Sequence, residues 1–316
     1  MKERLASLFY PLPKYVKNFI KSDFEIIKYI ILALFIGFSI GVNYWFNFED
    51  SYVDVSDFNT RFFRYILFYS FAYFGGVIIL IITDKKIGFH KKLSFWMMSI
   101  LGIIIISFDG SYNGTYQIAK SFVDVNEYRY IGRLLAEFRN FITLFIPLSV
   151  IWLITKKKDD SLYGLTLKNA QVRPYFLLLL LMLPLILLAT QDASFLRTYP
   201  LFKTYGVDTY WNVKSGFLAL PFEFFYSLSF LNVELFFRGF LVIGMIRIMG
   251  KDAILPMVAI YAFLHFGKPM GEAISSVFGA YLLGIFAYYS RTIWGGVIVH
   301  GGIALLMELA AFWAKL

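Results

Sequence analysis

The stretch that most restricts the fold of this chain is Gly216–Met249, 34 residues of apolar side chains broken by only four charged ones, Glu223, Glu234, Arg238 and Arg247. As one helix it is about 50 Å long, against a hydrocarbon layer of roughly 30 Å. The run therefore belongs in a bilayer, where it must either tilt and protrude or break. Glu234 and Arg238 stand four residues apart near its middle. On a helix that spacing puts both side chains on one face, about 6 Å apart along the axis, where each neutralises the other away from water. An ionisable residue inside a membrane segment is a functional-site hypothesis by default. The polar partners that such a site would recruit are His265 and His300, both in apolar surroundings.

The rest of the chain agrees with a membrane setting. Hydrophobic residues are 59% of the 316 and charged residues 16%, where soluble domains carry roughly 25% charged. Apolar runs at Ile26–Phe46, Phe63–Thr83, Leu93–Phe108, Phe141–Thr155, Leu177–Leu188, Gly216–Met249, Ile254–Phe266, Ala273–Tyr289 and Trp294–Trp313 predict an all-α, polytopic transmembrane helical bundle of about nine spans. Asp109–Asn140 and Gln191–Ser215, mixed in charge, read as external loops, the first with a short interfacial helix. The net charge of +9 does not point to nucleic acid. Lys85, Lys86, Lys91 and Lys92, and again Lys156, Lys157, Lys158, Lys168 and Arg173, crowd short connections, as expected of cytoplasmic turns. Acids at Glu49–Asp57 follow the first run, which places the N-terminus in the cytoplasm. The divisions expected are a retained cytoplasmic tail at 1–25, N-terminal helices and loops at 26–215, and a C-terminal core at 216–316. The tail lacks the apolar core and cleavage site of a signal peptide. With no cysteine in the sequence, disulfides, thiolate metal sites and a cysteine nucleophile are excluded.

The last hundred residues hold V-E-L-F-F-R-G at Val233–Gly239, Y-A-F-L-H-F at Tyr261–Phe266 and V-I-V-H-G-G at Val297–Gly302. This order resembles the CPBP family of intramembrane proteases, also called the Abi or type II CAAX prenyl protease family, over about a third of the chain. That family carries Glu-Glu-x-x-x-Arg, then Phe-x-x-x-His, then His-x-x-x-Asn or Asp. Glu234 falls on the second glutamate, Arg238 on the arginine, and His265 and His300 on the two histidines. Val233 stands where the family has its general base, Tyr261 where it has phenylalanine, and Ala304 where an Asn or Asp helps the last histidine hold the oxyanion.

Hydrolysis of a peptide bond needs a base within hydrogen-bond reach of the water and donors aimed at the developing oxyanion. The resemblance implies Glu234 as an altered base, His265 as its partner and His300 as oxyanion donor. Glu308, on the same helical stripe as His300 and Ala304, is a candidate compensating acid. Two histidines and a glutamate also match a catalytic zinc set, but no His-Glu-x-x-His occurs. A zinc bound by His265, His300 and Glu234 is therefore ranked below metal-free water activation, which requires no cofactor. The expected function is an intramembrane endopeptidase with its cavity open toward the cytoplasm, in a bacterial plasma membrane, whose partners are the lipid bilayer and a peptide or membrane-protein substrate. One alternative is a non-catalytic relative binding a peptide or partner helix, suggested by Val233 and Ala304. A transporter is another, suggested by charge midway along a helix, although no repeated halves are present. If the site exists, Glu234, His265 and His300 converge within about 4 to 8 Å, with Val233 facing the same cavity.

Overall fold

The computed structural model describes residues 9–156, 161–168 and 170–315. Met1–Leu8 of the expected tail, and Lys157 and Lys158 of the basic connection, lie outside the described residues. The described chain is helical, without a strand. Its main helices are α1 (Leu12–Asp23), α2 (Ile26–Phe46), α3 (Phe58–Thr83), α4 (Leu93–Ser111), α5 (Thr115–Phe122), α6 (Tyr128–Asn140), α7 (Ile146–Thr155), α8 (Arg173–Ala189), α9 (Ser215–Glu234), α10 (Ile254–Leu264), α11 (Met270–Ser290) and α12 (Trp294–Ala314). Among the described residues seven helical runs are long and apolar enough to cross a membrane, and α8 is a shorter apolar helix.

The longest of the seven, Ser215–Leu264, settles the choice between tilting and breaking. α9 passes into a π-helical segment at Leu235–Gly244, and the chain then reverses at Gly250, whose φ of +63° lies in the region glycine tolerates. The two arms lie antiparallel, so that the rings of Phe237 and Tyr261, nearly equidistant from the turn, meet edge to face at 4.9 Å. Every residue of α10 from Ile254 to Phe263 is buried. That is the fate of a helix apolar all round, and it makes α10 the central post of the bundle. Small residues let its neighbours close on it: a Cβ at Gly76 of α3 would stand 2.9 Å from the Pro256 Cα, and one at Gly284 of α11 would stand 2.7 Å from the Met257 Cε.

Two stretches expected to be irregular are ordered. Asp109–Asn140 is no loop: α4 runs on to Ser111, and α5 and α6 fill most of the remainder, α6 continuing through a π turn (Phe141–Phe145) into α7. Its charges hid it. Arg133 pairs with Glu137 one turn away at 2.8 Å and Arg139 approaches Asp109 at 3.5 Å, while the same helix buries Tyr130 and Gly132. Within the expected tail, α1 is docked on α11: Phe19 is fully buried against Tyr281, and Tyr15 stacks on Tyr289 at 5.2 Å. Asp23 at its end takes an ion pair from Lys28 at 2.9 Å and another from Lys251 beside the hairpin turn at 3.3 Å.

The turn that leaves α10 is gripped by the end of α2. Asn43 Nδ2 donates to the Phe266 carbonyl at 3.0 Å and the Tyr44 hydroxyl to that of Lys268 at 2.6 Å. Glu49 follows in a π turn (Glu49–Val53). Its amide donates to Asn43 Oδ1 at 3.0 Å, and one carboxylate oxygen accepts from the Tyr65 hydroxyl at 2.8 Å. The other lies where a Cβ on Gly267 would meet it at 3.0 Å. Burial, with Asp50 beside it, pushes the Glu49 carboxyl up to about 7 from 4.5, against the Tyr65 hydrogen bond and Arg61. Between those values the folded state holds a proton that the unfolded state has released. The resulting stability is present at low pH and lost as pH rises through about 7. We expect the melting temperature in detergent to fall from pH 4.5 to 7 more steeply for wild type than for Glu49→Gln. Parallel pH profiles of the two proteins would show that Glu49 does not titrate in this window.

Candidate active site

Glu234 lies at the junction of α9 with the π-helical segment, a form frequent at functional sites. Glu234 is 0% and Arg238 1% exposed, and Arg238 Nη1 donates to Glu234 Oε1 at 2.8 Å. The same carboxylate oxygen takes a second partner, His300 Nδ1 of α12, at 3.1 Å. Gly296, one turn before His300, allows this approach, because a Cβ there would run into Glu234 Oε2. Among the described residues Glu234 Oε2 and the Nε and Nη2 of Arg238 have no hydrogen-bond partner. The guanidinium instead lies 4.3 Å from the centroid of the Tyr261 ring, a cation–π contact that is stronger where water is excluded.

Tyr261 sits one turn before the end of α10 and touches both histidines. Its hydroxyl is 3.3 Å from each ring nitrogen of His300, and its carbonyl oxygen pairs with His265 Nδ1 at 2.9 Å. The imidazole rings are 6.5 Å apart, centre to centre, and Phe230, one turn before Glu234, packs its ring 4.4 Å from that of His300. Partner chemistry fixes the tautomers. A carbonyl can only accept, so His265 Nδ1 carries the proton; the salt-bridged carboxylate likewise takes a proton from His300 Nδ1. In the neutral form of each ring Nε2 keeps a lone pair. With its side chain 17% exposed, His300 is the least enclosed of the set, next to Glu234 at 0%.

The structure thus brings Glu234, Arg238 and His300 into direct contact and sets His265 beside them through Tyr261. Val233 is half-buried and packs against the main apolar core. Ala304 packs with Phe222, Tyr226 and Phe230. Glu308 has another occupation: its two oxygens accept the amides of Leu201 at 2.7 Å and Phe202 at 3.2 Å, anchoring the loop before α9. No group of three His, Cys, Asp or Glu able to hold a metal ion occurs among the described residues. A crevice of about 400 Å³ between α2 and α3 is floored by Phe68, Phe263 and Phe266, flanking the His265 turn without containing the histidine.

Two members of this arrangement escape a reading of the sequence. Tyr261 looks like one more aromatic, and Gly296 looks like a packing glycine. The available signals are a hydroxyl in an otherwise apolar helix and a glycine one turn before an intramembrane histidine.

A family model described as type II CAAX prenyl endopeptidase Rce1-like matches residues 217–306, consistent with the resemblance carried by the three motifs. The matched segment contains Glu234, Arg238, Tyr261, His265 and His300, and leaves out Glu308 and all the helices before α9. No curated protein and no solved structure matches the chain.

The buried pair and its glycine generate a stability test. Removing one partner of such a pair costs about 3–5 kcal/mol, whereas replacing both with apolar side chains of similar size is often neutral. Arg238→Met should therefore lower the melting temperature more than the double variant Glu234→Leu/Arg238→Met. Gly296→Ala should cost about 1–3 kcal/mol, as overpacked sites do. Equal melting temperatures for wild type and Gly296→Ala would show that α12 can retreat from the carboxylate freely.

Proposed function

We propose that Glu234, Arg238, His265 and His300 form the hydrolytic centre of an intramembrane endopeptidase of the CAAX protease kind. The observation that carries this reading is the 3.1 Å contact between His300 Nδ1 and a glutamate held by Arg238 at 2.8 Å. A carboxylate on one imidazole nitrogen fixes the tautomer and stabilises the imidazolium formed when the other nitrogen takes a proton. His300 Nε2 is accordingly the base. It removes a proton from water, the hydroxide adds to the scissile carbonyl, and the proton then passes to the departing amine. Glu234 orients and Arg238 neutralises. This arrangement explains how hydrolysis proceeds with Val233 at the family's base position. It also moves His300 from the oxyanion role to the base role. His265 Nε2, with its lone pair, accepts a hydrogen bond from the water or from the peptide N–H.

The substrate is a peptide segment that reaches the centre from the membrane, a small peptide or the tail of a membrane protein. The membrane is taken to be a bacterial plasma membrane with the N-terminus in the cytoplasm, for which the placement of Lys and Arg in short connections is the support. The name of the matched family model supplies a first probe, peptides ending in Cys-aliphatic-aliphatic-X with the cysteine prenylated or bare.

A non-catalytic reading has one observation in its favour. Glu234 is fully buried, with Oε1 shared by Arg238 and His300 and Oε2 against Gly296. In that reading the cluster is a clamp, and peptides bind without being cut. Purified protein in phospholipid vesicles, given labelled probe peptides, distinguishes the two. Cleavage by wild type that falls about 10²- to 10⁴-fold in His300→Ala, the scale of general-base catalysis, supports the enzyme. Saturable binding with no product from wild type supports the clamp and removes the endopeptidase reading.

A further inference from the structure

We propose that Tyr261 is a catalytic residue of this centre, the donor that holds the oxyanion. The inference rests on the endopeptidase reading for its chemistry. The tetrahedral intermediate needs an N–H or O–H aimed at its oxygen. Ala304 offers none. His265 and His300 each have Nδ1–H bound, to the Tyr261 carbonyl at 2.9 Å and to Glu234 at 3.1 Å, so neither presents an N–H between the rings. Glu234 only accepts, and Arg238 is 1% exposed with its face against the Tyr261 ring. The Nε and Nη2 of Arg238 are unpartnered but enclosed in that contact, which leaves the Tyr261 hydroxyl as the side-chain donor that lies against His300. It stands 3.3 Å from both nitrogens of His300, beside the atom assigned to take the proton from water.

That position couples the donor to the base. At rest the O–H leans on the imidazole, whose Nε2 lone pair accepts it. That nitrogen has one lone pair, so the attacking water takes the phenol's place on it, and the released O–H turns to the carbonyl oxygen, where negative charge appears as Nε2 takes the proton. The water O–H bond breaks toward His300 Nε2, the hydroxide forms the new C–O bond, and the carbonyl π pair moves to oxygen, where the phenol donates a hydrogen bond without giving up its proton. Collapse of the intermediate breaks the C–N bond, and the amine takes the proton from Nε2. The Tyr261 ring is held for this by Arg238 at 4.3 Å and Phe237 at 4.9 Å, neither of which needs the hydroxyl.

Tyr261→Phe removes the hydroxyl and keeps the ring. In the full-length protein in phospholipid vesicles, with the prenylated and bare peptides as probes, it should lower kcat by about 10²- to 10³-fold, the scale for one oxyanion donor, and leave KM unchanged. A readout independent of turnover comes from histidine labelled with ¹⁵N, of which the chain has three residues. The variant should move the Nε2 resonance of His300 toward that of an imidazole without a donor, leaving His90 and His265 Nδ1 in place. An active wild type whose kcat survives Tyr261→Phe, or a His300 resonance that does not move, overturns the Tyr261 proposal alone. A wild type that binds the peptides and cleaves none overturns the endopeptidase reading, and the oxyanion role falls with it.

Discussion

Two opposite charges without access to water constrain everything around them. Glu234 and Arg238 are almost completely buried, and separating them strands a charge where solvation is poor, so each must be held where the other can reach it. The 2.8 Å contact does that along one helix. The surroundings then have to supply further partners: the Tyr261 face for the guanidinium and the His300 ring for the carboxylate. Gly296 follows from the same requirement. Any larger residue there would push α12 off the carboxylate and break the charged link between the hairpin and the helix that carries His300.

The helices outside the family match serve this arrangement by controlling α10. That helix carries Tyr261 and ends at His265, and it is short, so the position of its last turn depends on what holds the connection to α11. Asn43 and Tyr44 of α2 hold that connection by the carbonyls of Phe266 and Lys268, while α3 supports α10 along its length through Gly76. At the opposite end Asp23 of α1 ties Lys251 beside the hairpin turn. The N-terminal part of the chain is thus a cradle, which sets where the two histidines stand relative to one another.

What was legible in the sequence is whatever polarity made conspicuous. Glu234, Arg238, His265 and His300 stand out because an apolar run has no other reason to contain them, and their order suggested one centre. Hydropathy located the spans but misjudged α6, where Arg133 pairs with Glu137 and Arg139 with Asp109, so that a polar sequence forms an ordered helix. Spacing along a helix says which residues share a stripe and nothing about what a loop brings to it. Glu308 lies on the stripe of His300, yet its carboxylate is taken by the amides of Leu201 and Phe202, partners a hundred residues earlier in the chain. Tyr261 was illegible for another reason: its ring satisfies the aromatic preference of the motif, and the hydroxyl acquires a meaning only when His300 is placed next to it.

The three departures from the family pattern make sense as one set. Ala304 leaves room for Phe222, Tyr226 and Phe230 to pack as a stack, with successive ring centres 5.6 and 5.0 Å apart, and Phe230 at the end of that stack presses on His300 at 4.4 Å. A side-chain amide at position 304 would enter that stack and need its own partners in an apolar space. With Phe230 on one side of His300 and the Tyr261 hydroxyl 3.3 Å from its nitrogens, the imidazole is confined without help from position 304. Val233, half-buried against the core, avoids placing a second carboxylate beside a glutamate for which Arg238 is the one arginine at hand among the described residues of the cluster. A second acid would need another cation, and among the described residues of the cluster none stands ready to provide it. Positions 233 and 304 are thus given over to apolar packing, while the polar contacts of the cluster run through Glu234, His300 and Tyr261, which the fold holds together.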